Sequence, residues 1–292
     1  MPKAVVIVTG ANGQLGKELN AASVVYPQFQ FVFLSKENLD IEQPEQVQQY
    51  FKKLMPAFCV NCAAYTAVDK AETDRDAAMQ INADATGLLA SVCKSFHTRF
   101  IHISTDYVFD GTATAPYREA DPTNPVNYYG LTKLRGEQMA VANNKESLII
   151  RTSWVYSEYG NNFVKTMIRL MKERECLNVV NDQLGSPTYA ADLAKAILDI
   201  ITASNADSKN WAPGIYHYSN EGVISWYDFA VAIKTLTGSG CHINPIPTSA
   251  YPTPARRPAY SVFDTNKIKS SWNLVIKDWQ SRLGAAIARL QS

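Results

Sequence analysis

Residues 4 to 9, Ala-Val-Val-Ile-Val-Thr, form an unbroken apolar, mostly β-branched run. That is the pattern of a strand covered on both faces by helices in a parallel sheet. Similar runs recur at Phe29 to Leu34, Phe58 to Asn61, Phe100 to Ser104 and Ser147 to Arg151. Helical spacing fills the intervals. Glu45 to Leu54 reads as an amphipathic helix stopped by Pro56, and Asp74 to Lys94 as one long helix. Strands alternating with helices predict an α/β fold, a Rossmann-type doubly wound parallel sheet. Past residue 155 the elements shorten and loops increase, although Ala190 to Thr202 is again helix-like. The expected division is a main domain over 1–155 and a smaller C-terminal substrate-binding lobe over 156–292, some of whose segments return to the main sheet.

The first strand runs straight into Gly10-Ala11-Asn12-Gly13-Gln14-Leu15-Gly16. The first glycine permits a tight turn, the second lets backbone approach a pyrophosphate, and the third lets the following helix pack closely on the strand. The helix then directs its N-terminal amides at the phosphates. In this position the motif predicts dinucleotide binding. Asp40 follows Gly16 by 24 residues, near where such folds meet the adenosine half. Ser35 and Lys36, just past the second strand, offer a hydroxyl and a cation that suit a 2′-phosphate, or are simply a solvated loop.

Asn61-Cys-Ala-Ala-Tyr-Thr66 puts small residues at the carboxyl end of a parallel strand, where open α/β sheets bind ligands. A further strand ends in Thr105-Asp106-Tyr107, placing a hydroxyl where a ligand would lie. Pro116, Pro122 and Pro125 mark a loop able to cover the site. Next comes Tyr128-Tyr129-Gly130-Leu131-Thr132-Lys133, in which a phenol and an ammonium four residues apart share a helix face. A nearby ammonium is expected to pull the phenol pKa down from about 10, as suits a general acid. Trp154, after the fifth strand, either stacks on a ligand ring or fills core.

With 292 residues, 46% of them apolar, the chain can bury an ample core. Lys+Arg 28 against Asp+Glu 27 gives a formal charge of +1 with interspersed signs, the footprint of neither a nucleic-acid nor a membrane-surface binder. Met1-Pro2-Lys3 precedes only five apolar residues, too few for a signal peptide, so a cytoplasmic protein is expected. Cys59, Cys62, Cys93, Cys176 and Cys241 are odd in number and scattered, unlike a disulfide framework. Cys59 and Cys62 read as buried small hydrophobes rather than a redox or zinc pair. Arg256 and Arg257 could meet phosphate or simply be exposed.

Strand, glycine triplet, central hydroxyl and the Tyr129/Lys133 pair, in that order, resemble the extended short-chain dehydrogenase/reductase family over the whole chain. Five runs sharpen the match: Asn61 to Glu72, Ser104 to Gly111, Arg151 to Tyr156, Asp182 to Thr188, and Arg257-Pro258. They are similar to the sugar-nucleotide 4-ketoreductases within it. The resemblance implies NADPH as cofactor, with NADH also accepted, a dTDP-sugar substrate, and a monomer or homodimer. By the same resemblance Gly10, Gly13, Gln14, Leu15, Gly16, Asp40, Ile41, Ala64, Tyr65, Thr66, Tyr129 and Lys133 hold the dinucleotide. Thr105, Asp106 and Trp154 would hold the sugar nucleotide, with Thr105, Tyr129 and Lys133 catalytic. Some members share a divalent metal between subunits through glutamates. Here Glu18 is present, but Tyr189-Ala190-Ala191-Asp192 and the end Leu290-Gln291-Ser292 lack such glutamates, so no metal is expected. Dehydratases of this fold follow Thr-Asp with a glutamate base, where this chain has Tyr107. A non-catalytic binding subunit would tend to lose the tyrosine or the lysine, and both are intact.

Overall fold

In the computed structural model, which describes residues 3–291, six parallel strands form the central sheet. Met1, Pro2 and Ser292, read above at the two ends, lie outside the described residues. The strands are β1 (Ala4–Thr9), β2 (Phe29–Leu34), β3 (Phe58–Asn61), β4 (Arg99–Thr105), β5 (Leu148–Thr152) and the late strand Gly214–Tyr218. Across the sheet they run Gly214–Tyr218, β5, β4, β3, β1, β2. The order reverses direction between β1 and β3, and this opens a crevice at their carboxyl ends.

Alternation along each strand divides the core. Val6, Val8, Leu148 and Ile150 face a layer made by α1 (Gln14–Ser23) and, much later in the chain, α7 (Ala190–Ala206). Ile7, Cys59, Phe100 and Ile149 face the opposite layer, packed with Val47 and Phe51 of α2 (Pro44–Leu54), Leu89 and Cys93 of α4 (Ala85–Ser95), and Ala140 of α5 (Tyr128–Asn143). Burial on both faces explains the continuous rather than alternating apolar runs. A second core joins α6 (Phe163–Glu173), α8 (Trp226–Thr237) and α10 (Trp279–Gln291) to the parallel pair Cys176–Val180 and His242–Ile246. Residues past 155 thus serve both cores: α7, Gly214–Tyr218 and Ile268 of α9 (Asn266–Trp272) close the first. No helix among the described residues is long and apolar enough to cross a membrane.

The expected single helix over Asp74 to Lys94 is not continuous. It is α3 (Arg75–Met79), a π-helical turn at Gln80–Asp84, and α4. The widened turn brings Asn82 inward. Its amide accepts from Tyr65 N at 2.8 Å and donates to Tyr65 O at 3.1 Å and Thr132 Oγ1 at 3.0 Å. The irregularity therefore fixes the segment after β3 against α5.

Candidate active site

The glycine turn is built for close approach. Gly10 has φ +66°, and a Cβ there would lie 2.5 Å from Ala63 N; a Cβ on Gly16 would lie 2.5 Å from Gly10 O. Gly13 precedes α1, whose N-terminus has no side-chain cap and no acidic residue in its first turn. Its amides are left for an anion. The donor set and the bare backbone cradle both fit a dinucleotide pyrophosphate.

From this turn a cavity of about 770 Å³ runs along the carboxyl edge of the sheet. Gly10, Gly13, Gln14, Leu15, Gly16, Asp40, Ile41, Ala64, Thr66, Thr105, Asp106, Tyr129, Lys133 and Trp154 all line it. Tyr65 is the exception among the expected site residues. Its hydroxyl turns to Asp74 Oδ2 at 3.1 Å and its main chain is clamped by Asn82. At the adenosine end, Lys36 Nζ pairs with Glu42 at 3.4 Å while remaining largely exposed. Ser35 Oγ is already bonded to Glu37 and Asn38.

Thr105 ends β4, and Tyr129 lies in the first turn of α5, which is capped by Asn127 Oδ1 accepting from Gly130 N at 2.7 Å. Thr105 donates to Asp106 Oδ1 at 2.9 Å and accepts from Tyr107 N at 3.2 Å. The Thr105 and Tyr129 side chains are hydrogen-bond neighbours. Contrary to the expectation above, the Tyr129 pKa is raised: burial and the Asp106 charge outweigh the lowering effect of Thr105. The ammonium expected to oppose them is engaged elsewhere, donating to Ile103 O at 2.7 Å, and His102 Nε2 lies 3.3 Å from the same Nζ. Tyr129 keeps its proton at neutral pH, the form a general acid needs. Burial lowers Lys133 to about 8, against the raising influence of Glu137 and Cys62. Burial likewise raises Asp106 to about 6, against hydrogen bonds from Ser261 and Thr105 that lower it, and its buried Oδ2 makes no close hydrogen bond. That oxygen is placed for a ligand hydroxyl.

Trp154 holds a left-handed φ of +48° and stacks on Trp226 at 3.5 Å and 9°. A Cβ on Gly185 would lie 2.5 Å from Trp154 Cε2, so this glycine admits the indole. Arg257 forms a two-pronged pair with Asp69, at 2.8 and 3.1 Å, tying the Thr253 to Arg257 loop to the segment after β3. Behind the site, Arg151 pairs with Glu137 at 2.7 and 2.9 Å, and Ser104 Oγ donates to the same carboxylate. Glu18 does not face solvent but meets Glu158, and the described residues hold no group of three or more His, Cys, Asp or Glu able to bind a metal.

Trp226, Asn82 and His102 carry no site signal in the sequence. None sits in a local motif; each is brought to the site or its support only through the fold.

A family model described as RmlD substrate binding domain matches residues 4–292. A dTDP-4-dehydrorhamnose reductase of Burkholderia thailandensis is 41% identical over 98% of this chain and 99% of its own. One of Salmonella typhimurium is 40% identical over 94% of each. Among solved structures, dTDP-4-dehydrorhamnose reductase of Bacillus anthracis in complex with NADP superposes with a TM-score of 0.93 at 40% identity, over 99% of this chain and 100% of that one. A Thermus thermophilus UDP-glucose 4-epimerase shares the fold, at TM-score 0.82 and 17% identity over 99% of both chains. Full-length matches at this identity place the chain in the dTDP-4-dehydrorhamnose reductase family.

Proposed function

We propose that this protein reduces the C4 keto group of dTDP-4-dehydro-β-L-rhamnose to give dTDP-L-rhamnose, acting in the cytoplasm as a monomer or homodimer. The observation that carries the reading is one continuous cavity, with a bare glycine cradle at one end and a protonated Tyr129 bonded to Thr105 at the other. Gly10, Gly13, Gln14, Leu15, Gly16, Asp40, Ile41, Ala64 and Thr66 would hold NADPH, and NADH would be accepted as well. Bound there, the reduced nicotinamide supplies a hydride to C4. The chain supplies the rest. Tyr129 gives its proton to the C4 oxygen as that oxygen gains charge. Thr105, held on Asp106, lies beside the same oxygen, and Asp106 Oδ2 receives a sugar hydroxyl. Lys133, buried one turn along α5, places positive charge near the nascent phenolate. The Trp154–Trp226 stack forms an apolar wall for the sugar nucleotide.

The test is to generate the 4-keto-6-deoxy sugar nucleotide in situ and follow absorbance of the reduced cofactor. Oxidation is expected only with keto sugar present. Cofactor binding without oxidation on any such substrate would replace this reading with that of a non-catalytic subunit.

A further inference from the structure

The group that faces the Lys133 amine from the sheet side is His102 of β4, fully buried and 3.3 Å away. Its protonation state follows from the hydrogen bonds behind it. Ala63 N, which can only donate, points at Asn61 Oδ1 at 3.2 Å, and Thr9 Oγ1 donates to the same oxygen at 2.7 Å. These two donors fix which way the Asn61 amide faces. Asn61 Nδ2, a donor, must then be the atom 3.1 Å from His102 Nδ1. Nδ1 is the acceptor, and the single proton of a neutral imidazole sits on Nε2. The ring is neutral because burial and the Lys133 charge both push its pKa far down.

An Nε2–H aimed at Lys133 Nζ can be accepted by a neutral amine but not by an ammonium. We propose that His102, locked as the Nε2–H tautomer by Asn61, is a positioning residue that favours the neutral amine of Lys133 and thereby sets the upper pH limit of reduction. The link to reduction rests on the function proposed above; the tautomer and its effect on Lys133 do not. Other groups around Nζ act in the opposite sense or are silent. The Ile103 carbonyl favours the ammonium, as does Glu137 on the next turn of α5, itself neutralised by Arg151 of β5. The Cys62 thiol is kept protonated because burial raises it, and Tyr129 on α5 is kept protonated by burial and Asp106. His102 is thus the one donor from β4 directed at the amine. Lys133 remains charged near neutral pH yet loses its proton within reach of physiological alkalinity. Activity that needs the ammonium falls as pH rises through that point.

Nitrogen-15 NMR of the imidazole in the wild-type protein, without substrate, is expected to show a protonated Nε2 and a bare Nδ1. Finding the proton on Nδ1 overturns the proposal and needs no variant. Carbon-13 NMR at the lysine ε position then gives the Lys133 titration midpoint. His102→Leu keeps the site buried but removes the donor, and should raise that midpoint by about one pH unit or more. His102→Gln, whose amide can donate in the same direction, should restore it. The alkaline limb of kcat/KM should move with the midpoint. An unmoved or lowered midpoint in His102→Leu refutes the role, which packing alone would not produce. If the midpoint moves as stated but no variant or wild type reduces the keto sugar, the proposed function fails and this inference stands.

Discussion

Replacing Glu18 with Gln probes how burial sets a charge on the helix that carries the glycine cradle. Glu18 lies in α1, four residues past Gln14, and is 2% exposed. Burial, then its hydrogen bond with Glu158, raise its carboxyl from 4.5 to about 8, against a lowering bond from Ser157. Its Oε1 is buried without a partner. Burial opposes ionisation of Glu158 as well, but hydrogen bonds from Glu18, Tyr189 and Arg289 prevail and hold it below the usual range. One proton therefore serves the pair, carried by Glu18 and donated to Glu158. The folded-state pKa of Glu18 lies above the unfolded one, so its contribution to stability is full below about 4.5 and is lost as pH rises through about 8. One proton costs about 1.4 kcal/mol per pH unit over that window. Discounted by roughly half for solvent screening, the wild type loses about 2 kcal/mol between about pH 5 and 8.

Gln keeps a donor toward Glu158 and never ionises. Its stability advantage should be absent near pH 5 and grow to about 2 kcal/mol near pH 8, a gap of about 3 °C in Tm for a chain of 292 residues. Urea or thermal unfolding of both proteins at several pH values measures it. A gap that stays constant, or narrows as pH rises, would refute the assignment of the proton to Glu18. The same variant should leave the cavity intact, because Gln14, which accepts from Asn162 at 2.9 Å, is untouched.

Tyr129→Phe keeps the ring and removes the proton, so turnover should fall by about 100-fold or more with cofactor affinity largely retained; near wild-type turnover would remove Tyr129 from the mechanism. Lys133→Met should impair both turnover and cofactor binding, measured by steady-state kinetics and cofactor titration. NADPH should be preferred modestly over NADH, through a contact from Lys36 worth on the order of 1 kcal/mol; Lys36→Ala should erase the kcat/KM ratio and leave NADH kinetics nearly unchanged. Arg151→Met strands the buried Glu137 carboxylate and should cost about 3–5 kcal/mol in unfolding free energy, whereas Arg151→Met with Glu137→Leu should recover most of it. A double variant as unstable as the single would sink that account.

What the sequence made legible was what is written locally. β1 through β5 are short apolar runs buried on both faces, and the glycine turn and the Tyr129/Lys133 spacing are set within a few residues. The single helix expected over 74–94 failed for a reason outside its own residues. Asn82 bonds Tyr65 and Thr132, and the π turn that aims it is stabilised by those partners, not by propensity. Trp226 was equally invisible, since its stacking on Trp154 joins positions on two different segments and depends on a small residue at Gly185.

The Tyr129 pKa marks the limit of spacing arguments. Two residues on one helix face share a neighbourhood, but the sign of a pKa shift is decided by everything else in it. Here full burial and Asp106 push the phenol up, while the lysine that was expected to lower it turns to the Ile103 carbonyl and His102 on the neighbouring strand. The consequence for catalysis is favourable rather than adverse. An alkoxide forming at C4 is a far stronger base than the phenolate, so a Tyr129 that holds its proton until that charge appears delivers it downhill, and avoids losing it to solvent beforehand. Lys133 then matters most after the transfer, when the phenolate is newly made and buried. That is the moment at which the charge of a Lys133 ammonium on the same helix face stabilises it most.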